Sequence, residues 1–235
     1  MKTFKYVAMC LALFCATSAF AGTFTFVTPP GAQSAADGPV SASATFTTGA
    51  GSVTVVLNDL LANPTSVGQL VSDLFFHLSD ATTGTLTSSS AQEITVAADG
   101  TFALGGVVST GWALSSDLGG LELDVLGTAI GPAHLIIGPP GGVTYANANG
   151  SIADNGPHNP FLNQSATFLI SNAAITANTT VSDVIFSFGT TVGDNVPANT
   201  PDSGSTLMLL GVVLGLTEVL RRALMKRAVA VRSKI

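Results

Sequence analysis

The residue types best suited to catalysis or ligand binding concentrate in one loop, residues 154–161. Its candidate ligand residues are Asp154, Asn155, His158 and Asn159. Long loops on β scaffolds often carry binding residues, and Asp154 and His158 could share a metal or polarise a ligand. The alternative is a structural turn rich in Asn and Pro, with Phe161 packed into the core. We favour the turn.

The other two histidines, His77 and His134, lie in apolar runs. Neither has a second metal-ligating residue at the spacing that zinc sites use. We therefore expect structural roles for both.

The carboxylates of Asp and Glu are the remaining residues that could bind a ligand or a metal ion. Residues 22–200 contain twelve Asp and Glu and no Lys or Arg. Calcium prefers oxygen ligands, but the sequence has no Asp-x-Asp-x-Asp-Gly loop, so we favour a solvated acidic surface over a calcium site. Phosphate binding needs basic residues, and nucleic acid is therefore excluded as a partner.

Motifs of the common enzyme classes are missing from the sequence, which has no Gly-x-Ser-x-Gly, Gly-x-Gly-x-x-Gly or His-Glu-x-x-His. Both cysteines, Cys10 and Cys15, precede residue 22, which leaves the following domain without a thiol or a disulfide. Two carboxylates brought together in space for glycoside hydrolysis stay an open alternative.

Short segments of alternating polarity indicate the elements that hold these residues. The clearest strand is Ser52–Asn58, where β-branched residues dominate. Asp99-Gly100 predicts a hairpin turn between residues 93–96 and 101–104, and residues 67–70 fit a short helical turn. About ten such strands predict an all-β domain, a single β-sandwich or jelly-roll-like fold. The strands are expected at 23–28, 40–48, 52–58, 72–78, 93–96, 101–104, 112–114, 121–126, 134–137, 166–170 and 181–188.

The N-terminus has the pattern of a secretory signal peptide. Lys2 and Lys5 precede an apolar run, and the small residues Ala19 and Ala21 favour cleavage by signal peptidase before Gly22. The predicted organisation is therefore a signal peptide at 1–21, a β domain at 22–192, a linker at 193–200 and a C-terminal segment at 201–235.

The C-terminal segment has three parts in a fixed order. A polar motif at 201–206 precedes a hydrophobic helix at 207–220, and a basic tail at 221–235 opens with Arg221 and Arg222. Fourteen helical residues extend only about 21 Å, less than a bilayer core of about 30 Å. The basic residues predict a cytoplasmic C-terminus. The motif residues are Pro201, Asp202, Ser203, Gly204, Ser205 and Thr206.

This tail resembles the PEP-CTERM class of bacterial sorting signals, in particular its VPDSG-CTERM variant, with Thr200 where that variant usually has Val. The resemblance implies recognition by an exosortase-type membrane protease or transpeptidase and contact with the membrane through the helix before processing. It also implies a location in the cell envelope, on the cell surface or in the extracellular matrix of a Gram-negative-type bacterium.

We therefore expect an exported protein of the envelope or matrix with no catalytic activity, and exopolysaccharide is a candidate partner. Two alternatives are a secreted module that binds carbohydrate or calcium and a secreted hydrolase that uses Asp or Glu.

Overall fold

The computed structural model describes residues 21–35, 37–191 and 193–199, and within them the chain is built from fourteen β-strands. Their one helical element is a 3₁₀ turn at Val67–Gln69. The strands are β1 (Gly22–Val27), β2 (Gln33–Ser34), β3 (Gly38–Pro39), β4 (Ala42–Gly49), β5 (Ser52–Asp59), β6 (Val71–Leu78), β7 (Thr85–Val96), β8 (Phe102–Val108), β9 (Ala113–Asp117), β10 (Gly120–Asp124), β11 (Ile136–Ile137), β12 (Phe161–Ser171), β13 (Val181–Phe188) and β14 (Asn195–Pro197).

Alternating sequence produces the strands, as β4 and β5 illustrate. The two strands form a hairpin whose register runs from Ala42 opposite Asp59 to Gly49 opposite Ser52. Val53, Val55 and Leu57 are fully buried, whereas the residues between them are partly exposed. Successive side chains of a strand point to opposite faces, so this alternation puts one face of the hairpin in the core.

The larger strands form two sets. The first has the order β1-β4-β5-β12-β7-β8, and the second has the order β14-β13-β6-β10-β9. The short strand β11 joins the sets, because it pairs in parallel with β12 and antiparallel with β6. Phe46 of β4 and Phe76 of β6 come from different sets, and their ring centroids are 5.0 Å apart. The hydrophobic core therefore lies between the two sets.

The expectation of an all-β domain is confirmed for the described residues, and so is the helical turn near Val67. The strands at 52–58 and 181–188 and the hairpin around Gly100 form where the sequence predicts them. Gly100 has a φ of 77°, a conformation that glycine adopts without strain.

The strands β2 and β3 and the first part of β12 are not predicted from the sequence, and two further elements differ from expectation. β7 begins at Thr85, because the run Thr85–Ser90 pairs with β12 although it lacks alternating apolar residues. β14 lies inside the segment 193–200 that the sequence predicts as a linker, and Val196 at its centre is buried against the core. Both segments form strands because they pair with a neighbouring strand. The polarity pattern of a single segment does not indicate such pairing.

The signal peptide up to Phe20, the polar motif, the hydrophobic helix and the basic tail lie outside the described residues. Within the described ranges, no helix has the length and apolar character needed to cross a membrane.

Candidate functional site

The loop at 154–161 uses most of its polar side chains to hold itself together. His158 Nδ1 lies 2.7 Å from the Ser151 carbonyl oxygen, and Asn155 Nδ2 donates to the Gly150 carbonyl at 3.0 Å. Asn159 Oδ1 accepts a hydrogen bond from the Val96 amide at 2.9 Å, which ties the loop to β7.

Asp154 and Phe161 complete this loop. The Asp154 side chain is exposed, while its backbone amide donates to the Val96 carbonyl at 3.0 Å. Phe161 is fully buried. The contacts of the loop therefore agree with the structural turn that the sequence favours.

His134 has the surroundings of a structural residue. Its side chain is buried, with Nδ1 2.8 Å from the Thr110 carbonyl oxygen and Nε2 3.1 Å from Glu93 Oε1. The Trp112 indole donates to the His134 carbonyl at 2.9 Å. His134 thereby fastens the 110–112 turn to β7, which agrees with the expected structural role.

His77 lies at the surface between two acceptors. Its Nδ1 is 3.2 Å from Asp183 Oδ2, and its Nε2 is 3.5 Å from the Leu118 carbonyl oxygen. These contacts join β6 to β13 and to the turn after β9.

A cleft of about 530 Å³ lies on the outer face of β6, β10 and β13. We call it the carboxyl cleft, since the carboxyl groups of four residues line it together with the apolar side chains of Phe75 and Ile185; the four are Asp73, Asp117, Glu122 and Asp124. A volume of this size matches that of small-molecule sites. Glu122 and Asp124 form a short acidic pattern in the sequence, but no local pattern connects them with Asp73.

Strand register brings three of these carboxyl groups together, those of Asp73, Glu122 and Asp124. In the antiparallel pair of β6 and β10, Asp73 lies opposite Asp124 and Phe75 lies opposite Glu122. Leu74 and Leu123, which lie between them, point the other way and are fully buried. The alternation of apolar and acidic residues in β10 is visible in the sequence, but its pairing with Asp73 depends on a contact across about fifty residues.

Asp73 has an unusual protonation equilibrium. Burial raises the pKa of Asp73 to about 9, helped by a hydrogen bond with Glu122 and by the charges of Glu122 and Asp124, while a hydrogen bond from Ser187 acts in the opposite direction. Asp73 Oδ1 is buried and accepts no hydrogen bond from the described residues. Asp73 is therefore a neutral carboxylic acid near pH 7, and such a group can donate a hydrogen bond.

The two neighbouring carboxylates are positioned by the chain itself. Asp124 accepts hydrogen bonds from the amides of Leu126 and Gly127 at 2.7 and 2.8 Å. Glu122 Oε2 lies 3.2 Å from the Ser115 hydroxyl. These contacts fix the acidic side of the carboxyl cleft.

A second perturbed carboxyl group, Asp59, lies in the core. It is 1% exposed, and its Oδ1 accepts a hydrogen bond from the Leu61 amide at 2.9 Å. Burial raises the pKa of Asp59 well above its ordinary value, against hydrogen bonds from the backbone of Leu61, Gly138 and Val71. Burial and the nearby Asp59 charge raise the pKa of Tyr145 as well. Asp59 does not line the carboxyl cleft, and we assign it a structural position at the end of β5.

In the described part of the chain, no three His, Cys, Asp or Glu side chains are grouped so that they could hold a metal ion.

Comparisons of the chain with protein-family models, curated proteins and solved structures gave no match. The functional arguments below therefore rest on the residues themselves.

Proposed function

We propose that this chain is an exported protein that an exosortase-type enzyme sorts to the cell envelope, the cell surface or the extracellular matrix. The observation that carries the proposal is the order of the tail: the polar motif at 201–206, the hydrophobic helix at 207–220 and the basic residues from Arg221. A permanent anchor needs no polar motif, whereas a processing enzyme needs an extended segment to recognise. Pro201 favours extended backbone at Thr200.

The domain in front of the tail fits an extracellular role without catalysis. It has twelve carboxylates, no Lys or Arg and no cysteine between residues 22 and 200. Repulsion between like charges keeps such a domain in solution. Its finer architecture, in our proposal, is one β-sandwich or jelly-roll-like domain, which the contact of Phe46 with Phe76 across the two strand sets supports.

Replacement of Pro201, Asp202 and Ser203 by Ala tests the sorting proposal. The triple variant should still be exported and inserted, because the helix and the basic cluster are unchanged, but it should accumulate unprocessed in the inner membrane. Intact mass of the protein from each cell fraction of the native host measures this, with Ala substitutions at Thr190 and Thr191 as a control. If the triple variant reaches the surface with the same mass as the parent, the tail is an ordinary anchor.

A second candidate function is binding of a neutral ligand rich in hydroxyl groups, such as a saccharide, in the carboxyl cleft. Phe75 and Ile185 supply apolar walls, while Asp73, Glu122 and Asp124 supply hydrogen-bonding groups. The carboxylates repel anions, and a neutral Asp73 reduces the attraction for cations. The contact of Asp73 with Glu122, which raises the pKa of Asp73, is closer than the separation of about 5 Å or more at which glycosidases hold their two carboxyl groups. Binding therefore fits the cleft better than glycoside hydrolysis.

Filling the cleft with a larger side chain tests the binding role. Ile185→Trp should weaken binding of neutral oligosaccharides, such as cellotetraose or maltotetraose, by about tenfold or more, which corresponds to about 1.4 kcal/mol. Titration calorimetry measures the affinity, and Val143→Trp is the matched control, because Val143 is 89% exposed and lies outside the cleft. Equal affinity in the two variants would place the ligand elsewhere.

A further inference from the structure

Strand β8 forms an edge of the first strand set, and both of its faces are exposed over residues 103–107. Among the described residues it pairs only with β7. Residues 103–107 are all exposed, and they include Leu104 at 54% and Val107 at 74%. Since successive side chains of a strand alternate between its faces, five consecutive exposed residues leave neither face covered.

The chemistry of this edge is unusual for a surface strand. Natural edge strands are usually protected by Lys, by other charges or by Pro. The sequence from Phe102 to Val108 has no charged residue and no Pro. Its one protective feature is the irregular pairing of Gly105 and Gly106 with β7, which divides the edge into two short arms. Leu104 and Val107 lie at the inner ends of these arms.

The charge of the domain limits what can cover this edge. Every charged side chain of residues 22–200 is a carboxylate. A basic partner is therefore attracted to the acidic surfaces of the domain and not to the uncharged edge at β8. Residues 100–116, in contrast, contain no charged side chain. Two copies of the domain repel each other over most of their surfaces, and this uncharged strip is where they can come close. Its partner must be uncharged, apolar and able to form a strand, and a second β8 has all three properties.

We propose that β8 is a self-association edge at which two copies of this chain pair antiparallel around a two-fold axis. Such a symmetric contact is self-complementary. It supplies partners for the unpaired backbone groups of β8, covers Leu104 and Val107 of each copy, and continues the first strand set from one copy into the other. The remaining surfaces of the two copies repel each other, and salt should strengthen the association because it screens this repulsion. The proposal stands on the strand edge alone and holds whether or not the tail is processed.

Cysteine cross-linking in the full chain tests this pairing. Single substitutions Leu104→Cys and Val107→Cys place a thiol near the expected axis, where it can meet its symmetry mate. The chain exported to an oxidising periplasm should give a disulfide dimer with at least one of them on a non-reducing gel. Val143→Cys, at a loop position that is more exposed than either, and the unsubstituted chain should remain monomeric.

A charge at the edge provides the second arm of the test. Val107→Glu, added to the cross-linking variant Leu104→Cys, should reduce the dimer by about tenfold, because it brings a like charge from each copy into an otherwise uncharged contact. Val143→Glu adds the same charge elsewhere and should have no effect. Circular dichroism confirms the fold of each variant. Monomer alone, cross-linking to another protein, or a dimer that survives Val107→Glu each overturns self-association through β8.

Discussion

Acidification from about pH 8 to about pH 5 should stabilise the folded domain, and Asp73→Asn should remove the part of this dependence that Asp73 contributes. The pKa of Asp73 is raised to about 9 in the folded protein, whereas an Asp in an unfolded chain titrates near its ordinary value of 3.8. Between these two values the folded state holds a proton that the unfolded state has released. The free energy of unfolding therefore falls as the pH rises.

The size of the effect follows from the number of protons involved. One proton retained on folding changes the free energy of unfolding by about 1.4 kcal/mol per pH unit. Over three units this is about 4 kcal/mol, and solvent in the open cleft reduces it to about 2–4 kcal/mol. Asp59, whose pKa is also raised by burial, contributes in the same direction.

Urea unfolding at several pH values measures this dependence. Trp112 is the single tryptophan of the chain and is 4% exposed, so its fluorescence reports the loss of the core. Asp73→Asn keeps the shape and a neutral charge at every pH, and its advantage over the parent should increase with pH. Glu122→Gln should have an intermediate slope, because it removes one of the groups that raise the pKa of Asp73. A parent protein whose stability rises with pH, or an Asp73→Asn variant with the parent's slope, would contradict a shared proton in the cleft.

The sequence predicts the strands of this domain better than it predicts the carboxyl cleft, for a physical reason. Alternating residues make a strand such as β5 recognisable within eight positions, because the pattern is local. The cleft depends on which strands become neighbours, and Asp73 and Glu122 meet only through the pairing of β6 with β10. β14 and the first half of β7 are missed for the same reason, since their partners are β13 and β12. In a strand such as β5 the polarity pattern thus indicates which face is buried, but it does not indicate which strands lie next to it.

The pair Phe75-Phe76 shows how strongly the choice of face matters. Two adjacent aromatic residues in β6 give no local indication of which one enters the core. In the structure Phe76 is fully buried against Phe46, whereas Phe75 is partly exposed and lines the carboxyl cleft. A shift of one residue in the register of β6 would exchange the two environments.

Alanine substitution at the two positions should therefore give very different losses of stability. Phe76→Ala removes a ring that joins the two strand sets and should lower the free energy of unfolding by about 3–5 kcal/mol, a large part of the total of about 5–15 kcal/mol expected for a domain. Phe75→Ala is the matched control, with the same chemical change one residue away, and should cost about 1 kcal/mol, because its ring already contacts solvent. Urea unfolding followed by Trp112 fluorescence measures both variants. Equal losses would mean that β6 does not present Phe76 to the core, and the face assigned to Asp73 and the carboxyl cleft would then be wrong as well.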